Sequence, residues 1–236
     1  MTALLDAVYD GGLTYGELAR HGDFGLGTFN ALDGEMVAVD GEFFHLHADG
    51  SAGPVQPDER TPFAAVTFFR GDAAEALDGP ITRAEFEALV DAQVPSANLF
   101  YALRLDGTFA RVRTRTVARQ TPPYRPLVEA TRTQAVTELK GVSGTVCGFR
   151  SPDYAQGLTV AGYHLHFIDD TRTRGGHVLD FTLGSGWLRV DLDAGIHVEL
   201  PETAPFMAAH LERADLDAAI VAAEGGVPPA AGTGPR

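Results

Sequence analysis

The stretch YHLHFIDDTRTRGGH, residues 163 to 177, constrains the fold more than any other part of the chain. Alternate residues of a β-strand share a face, so His164, His166 and Ile168 point one way while Tyr163, Leu165 and Phe167 point the other. The polar run from Asp169 to Gly176 reads as the bend of an antiparallel hairpin, with two glycines that free the backbone at its end. His177 then opens the returning strand almost opposite His166, where cross-strand Cβ atoms lie about 4.5–5.5 Å apart. Three of the chain's 8 histidines therefore converge. Neutral imidazoles are the usual ligands of catalytic zinc, and a set of three leaves coordination positions open to water or substrate. Such a set accepts several divalent ions, so the spacing alone does not choose among them.

The remainder of the chain predicts an α+β fold of mixed and antiparallel sheets with a few helices. MTALLDAVYDGG and TYGELARHG read as short helices, the second capped at Thr14 and closed by Gly22. From Gly27 the Asp33-Gly34 and Asp40-Gly41 dipeptides flank an apolar alternation, which predicts a β-meander. A strand is expected over 61–70, and a helix over 81–94 behind a Thr82-x-x-Glu85 capping box. NLFYALRLDGTFARVRTRTVAR reads as two strands joined at Asp106-Gly107, PLVEATRTQAVTELK as a helix stopped by Gly141, and the chain after Pro205 as helical. The expected organisation is an N-terminal lobe over 1–145, a β-rich metal-binding lobe over 146–225 and a flexible tail over 226–236.

A net charge of −14 makes nucleic acid and anionic membrane surfaces poor partners. No apolar run approaches the roughly 18 residues of a membrane span, and no basic region precedes the first apolar residues, so a cytoplasmic location is expected. The single cysteine, Cys147, fits a reducing compartment and reads as a buried structural thiol. Glu35 follows a tight turn, where a side chain projects over a sheet end or simply meets solvent. Arg111, Arg113 and Arg115 alternate on one strand face, as a solvated face or as a wall that binds carboxylates. His45 and His47 form another His-x-His with no third partner nearby and read as surface residues.

Four separated motifs, GTFNALDGEMVAVDGEFF, TPFAAVTFF, RTVARQTPPY and GYHLHFIDDTRTRGGHVLDF, together resemble the α-acetolactate decarboxylases, in the family's order from about Thr14 to Pro201. The resemblance implies a metal-dependent enzyme, usually zinc, that converts 2-hydroxy-2-methyl-3-oxobutanoate (acetolactate) to acetoin and carbon dioxide. It also implies two closely packed lobes and a homodimer. It places the metal ligands on His164, His166 and His177, the trio that the strand alternation selects. It places active-site residues on Glu35, Arg115 and Thr28, and a further glutamate that reaches the metal on Glu224, with Glu212 as the alternative. Loss of carbon dioxide requires an electron sink, which the substrate's ketone provides once a metal chelates its hydroxyl and keto oxygens and stabilises the enediolate, so no organic cofactor is expected. Two other readings compete: a cupin-like metal oxygenase or isomerase, for which Asp169 and Asp170 stand at the wrong distance from the histidine pair, and a non-catalytic β-domain closed around a structural metal.

Overall fold

A computed structural model describes residues 1–224, so the tail expected over 226–236 lies outside the described residues. The chain begins with α1 (Thr2–Leu5), β1 (Leu13–Thr14), α2 (Tyr15–Leu18), β2 (Phe24–Thr28), β3 (Glu35–Val39) and β4 (Glu42–Leu46). It continues through β5 (Ala52–Pro54), β6 (Arg60–Thr61), β7 (Phe63–Thr67), β8 (Ala74–Thr82), α3 (Arg83–Gln93) and β9 (Phe100–Thr116). Last come α4 (Leu127–Ala130), β10 (Ala135–Ser151), β11 (Gly162–Asp169), β12 (Gly175–Asp193), α5 (Ala204–Ala208) and α6 (Leu216–Glu224). This is an α+β fold, and its named strands pair antiparallel throughout.

One sheet has the order β5-β4-β3-β2-β7. A second five-stranded sheet runs β11-β10-β9-β12-β8, and β11 also pairs with β12, so that sheet rolls up on itself at one end, while β1 and β6 form a small sheet of their own. Inside the roll, Phe109, Phe167 and Phe181 meet Phe86 and Val90 from α3. That helix starts at the expected capping box, with Thr82 and Glu85 bonding reciprocally. Leu26, Val37 and Leu46 of the first sheet pack on Ala102, Cys147 and Ile168 of the second, and this contact joins the layers. Cys147 is buried, as its apolar setting suggests, and its thiol donates to the Gly25 carbonyl at 3.3 Å. Residue 145 lies within β10, which pairs with β9 on one side and β11 on the other.

Several local expectations give way to tertiary contacts. Asp106-Gly107 is no turn: β9 runs straight through it, and Gly107 pairs with Gly144 on one side and Gly186 on the other. A Cβ on Gly107 would lie 2.5 Å from the Ser185 carbonyl oxygen, so glycine is there because backbones crowd together. The helix expected over 126–140 is confined to α4 and a 3₁₀ turn at Thr131–Thr133, after which the chain enters β10. The β-branched residues Val136 and Thr137 fit that strand, and pairing with the long β9 overrides weak helical periodicity. The two N-terminal helices are single turns, and the region expected to be helical after Pro205 holds two short helices, α5 and α6. Asp40-Gly41 is a hairpin turn, whereas Asp33-Gly34 closes a longer loop containing a 3₁₀ turn at Asn30–Leu32.

Candidate active site

The hairpin joining β11 to β12 has the register that the sequence predicts, with His166 directly opposite His177. The centroids of the His164, His166 and His177 rings are 5.2, 5.1 and 5.3 Å apart, close to an equilateral triangle. One nitrogen from each lies within 4.8 Å of the other two, and all three residues are buried. The His166 Nδ1 donates to the Met36 carbonyl at 2.7 Å, which fixes its tautomer and leaves the Nε2 lone pair free. That Nε2 and the His164 Nδ1 are buried without a hydrogen-bond partner. Burial, reinforced by Arg115, pushes the His164 pKa down to about 3. Burial and the neighbouring His164 do the same to His166, and burial and Arg115 hold His177 well below its ordinary range. Three buried, neutral and converging imidazoles, two with orphaned nitrogens, fit a divalent metal ion.

Two carboxylates and one guanidinium face this triangle from other elements. Glu224, the last residue of α6, brings Oε2 to 3.6 Å from His177 Nδ1 and 3.7 Å from His164 Nε2. Glu35, the first residue of β3, brings Oε2 to 3.7 Å from His166 Nε2. These separations exceed a hydrogen bond, so neither carboxylate satisfies the imidazoles. Arg115, near the end of β9, is 3% exposed and pairs with His177 across the ladder. Its guanidinium donates to Gln134 Oε1 at 2.9 Å and to Glu224 Oε2 at 3.1 Å, and its Nε has no partner. Burial raises the Glu35 pKa to about 8, with Arg115 pulling it down and Glu224 adding to the rise. The cleft is closed by an apolar wall of Leu4, Leu32, Phe63, Val117 and Leu127. Leu4 and Leu127 belong to the cluster in which α1, α4 and α6 pack together.

Comparison with known proteins agrees with this arrangement. The profile of the family described as Alpha-acetolactate decarboxylase matches residues 1–213. The chain belongs to the alpha-acetolactate decarboxylase family. It is 52% identical over 222 residues to the alpha-acetolactate decarboxylase of Methylococcus capsulatus, spanning 94% of this chain and 85% of that one. Against the Bacillus subtilis alpha-acetolactate decarboxylase the identity is 47% over 225 residues, spanning 95% and 88%. The crystal structure of the enzyme from Bacillus subtilis strain 168 superposes with a TM-score of 0.94 over 96% of this chain and 97% of that chain. Membership makes the chain an enzyme, a carboxy-lyase of acetolactate.

In this acetolactate decarboxylase family member the fold gathers His164, His177, Glu35, Arg115, Thr28 and Glu224 around one cleft, with the fully buried His166 beneath. Glu224 lies beyond the residues that the family profile matches, whereas the alternative Glu212 is exposed. The Thr28 hydroxyl donates to the Gly34 carbonyl at 2.7 Å, so it braces the loop that leads into Glu35. Arg111 and Arg113 do not join Arg115: Arg111 pairs with Asp180 and Arg113 is exposed, whereas Arg115 is buried near the end of β9. Asp169, which follows the histidine pair, turns into the hairpin bend and accepts from Thr173 and Arg174 backbone N–H groups. His45 is 7% exposed, which corrects its reading as a surface residue; its ring stacks on Phe29. Sequence reasoning misses Gln134, which has no motif signal, and Arg83, whose guanidinium donates to the Val178 and Leu179 carbonyls where β12 bulges just past His177.

Proposed function

We propose that the chain is a zinc-dependent acetolactate decarboxylase that yields acetoin and carbon dioxide through an enediolate. The observation that supports the reading is the meeting of three neutral imidazoles with one buried guanidinium and two carboxylates in a single apolar-walled cleft. Cleavage of the bond between C1 and C2 leaves an electron pair on C2, which moves into a C2–C3 double bond as the C3 ketone oxygen takes the charge. His164, His166 and His177 would hold a divalent cation, which would supply Lewis-acid stabilisation of the negative charge that develops on the substrate's oxygens. No organic cofactor is needed when the substrate carries its own electron sink.

Arg115 orients the departing carboxylate. Gln134 holds one end of its guanidinium, and a planar fork matches a carboxylate bidentately. Glu35 works as the acid and base of the cleft floor, where the developing carbanion at C2 takes a proton to become acetoin. A proton placed from one face makes acetoin as one enantiomer. Leu4, Phe63 and Leu127 exclude water from the reacting centre and accept the two methyl groups. Thr28 acts through the loop beneath Glu35.

The deciding experiment supplies racemic acetolactate to the purified protein before and after chelation, following acetoin, carbon dioxide and bound metal. Activity that disappears with the metal and returns with added zinc is expected. Full turnover by the metal-free chain rules out the cation, and absence of acetoin from the zinc-loaded chain rules out the substrate. A homodimer is the accompanying proposal, supported by the exposed apolar Ile196, Val198 and Leu200 after β12 and by the exposed residues of the edge strand β8. Sedimentation at a monomer's mass refutes it.

A further inference from the structure

Glu35 is delivered to the cleft by the loop Phe29 to Gly34, and the shape of that loop is set from outside the cleft. Gly34 sits at a φ of 77°, where a Cβ would lie 2.3 Å from the Leu46 carbonyl oxygen and 3.1 Å from His45 Nε2. The two β4 residues that crowd it therefore leave the loop little freedom. His45 does more than crowd. Its Nε2 is 2.5 Å from the Asp33 carbonyl oxygen, and because a carbonyl only accepts, that nitrogen carries the proton. The ring is held on both faces, by Phe29 at 3.7 Å between centroids and by His47 at 4.0 Å, and its Nδ1 faces the Glu59 carboxylate at 3.8 Å. His45 is also the cross-strand partner of Met36, whose carbonyl orients His166, and Leu46 is the partner of Glu35. With the Thr28 hydroxyl on the Gly34 carbonyl, two consecutive peptide groups before Glu35 are clamped.

We propose that His45 is a positioning residue for Glu35. By donating to the Asp33 carbonyl it fixes the bend that aims the Glu35 carboxyl at His166 Nε2. The inference rests on the reading of Glu35 as the acid and base of the reaction, and its test separates the two.

His45→Phe keeps an aromatic ring between Phe29 and His47 but removes the donor, whereas His45→Gln places an amide N–H near the position of Nε2. The measurements are kcat and KM for acetolactate, bound zinc and Tm. Displacement of a reacting group by about an ångström costs roughly a hundredfold, so His45→Phe is expected to lower kcat about ten- to hundredfold with KM and zinc content unchanged. His45→Gln is expected to restore most of that loss. Combined with Glu35→Gln, the His45→Phe change is expected to cost nothing more, because residues acting as a unit are not additive. Multiplying losses in the double variant, or wild-type kcat in His45→Phe, overturn the positioning role while leaving Glu35 in place. Wild-type turnover by Glu35→Gln alone removes Glu35 from the mechanism and this inference with it. If His45→Phe does not fold, His45→Asn, whose donor is too short to reach the Asp33 carbonyl, takes its place with the same expected and overturning results.

Discussion

Replacing Asp169 with Asn tests how the hairpin that carries the imidazoles is held. The carboxylate is 2% exposed and accepts four hydrogen bonds. Oδ1 takes the Thr173 and Arg174 backbone N–H groups at 2.9 and 3.1 Å, and Oδ2 takes the Thr171 hydroxyl at 2.8 Å and the Arg174 Nε at 3.0 Å. Asparagine retains an oxygen for the backbone donors but turns an NH₂ toward the other two. Each bond to a charged group contributes about 1.5–3 kcal/mol. The pair to Arg174 counts at the low end because that side chain is half exposed. Together they predict a loss of roughly 2–4 kcal/mol, or about 5–12 °C in Tm for a chain of this size. Burial opposes the charge of Asp169, but the donors from Thr173, Thr171 and Arg174 outweigh it and hold the pKa below the usual range. A folded pKa below the unfolded one, about 3.9, contributes stability that is complete above that pH and is lost as pH falls through the folded value. Urea denaturation from pH 7 down to pH 3 is therefore expected to show a gap between wild type and variant at neutral pH that narrows once the pH falls below about 3.9. No gap at pH 7, or one that persists undiminished in acid, refutes this account of the hairpin.

Three further outcomes follow from the same geometry. Arg115→Lys replaces a buried fork held by Gln134 and Glu224 with a point charge, and is expected to lower kcat/KM about a hundredfold in steady-state assays with bound metal retained. Arg83→Met removes the donors that satisfy the bulge beside His177 while keeping the length of the stem; zinc affinity by competition titration is expected to fall roughly 10- to 100-fold with the circular dichroism spectrum unchanged. Gly107→Val places a side chain against the Ser185 carbonyl and the Gly186 Cα, and is expected to cost about 3 kcal/mol or more, seen as loss of soluble protein or a lowered Tm.

What the sequence discloses is what is local. The trio of histidines is legible because strand alternation and one hairpin place all of it, and His166 indeed faces His177. The capping box at Thr82 is legible for the same reason. Gly107 misleads because Asp-Gly serves turns far more often than it serves a crowded strand, and only the neighbours Gly144 and Gly186 distinguish the two uses. The stretch 126–140 misleads because a strand paired along β9 outweighs local propensity. His45 reads as exposed because nothing nearby in the chain announces that Phe29 and Asp33 will cover it. The gathering of Glu35, Arg115 and Glu224 around one cleft depends on three distant elements, and no spacing in the chain encodes it.

The rolled end of the sheet that carries β11 and β12 divides the site by chain distance. Residues 164–177 bring their nitrogens together across a short loop whose closure costs little entropy, while Glu35, Arg115 and the Glu224 carboxylate come from elements distant in the chain. The imidazole triangle is thus the part of the site assembled mostly from near neighbours in the chain, whereas its alignment with Glu35, Arg115 and Glu224, like the Met36 carbonyl that orients His166, depends on the complete fold.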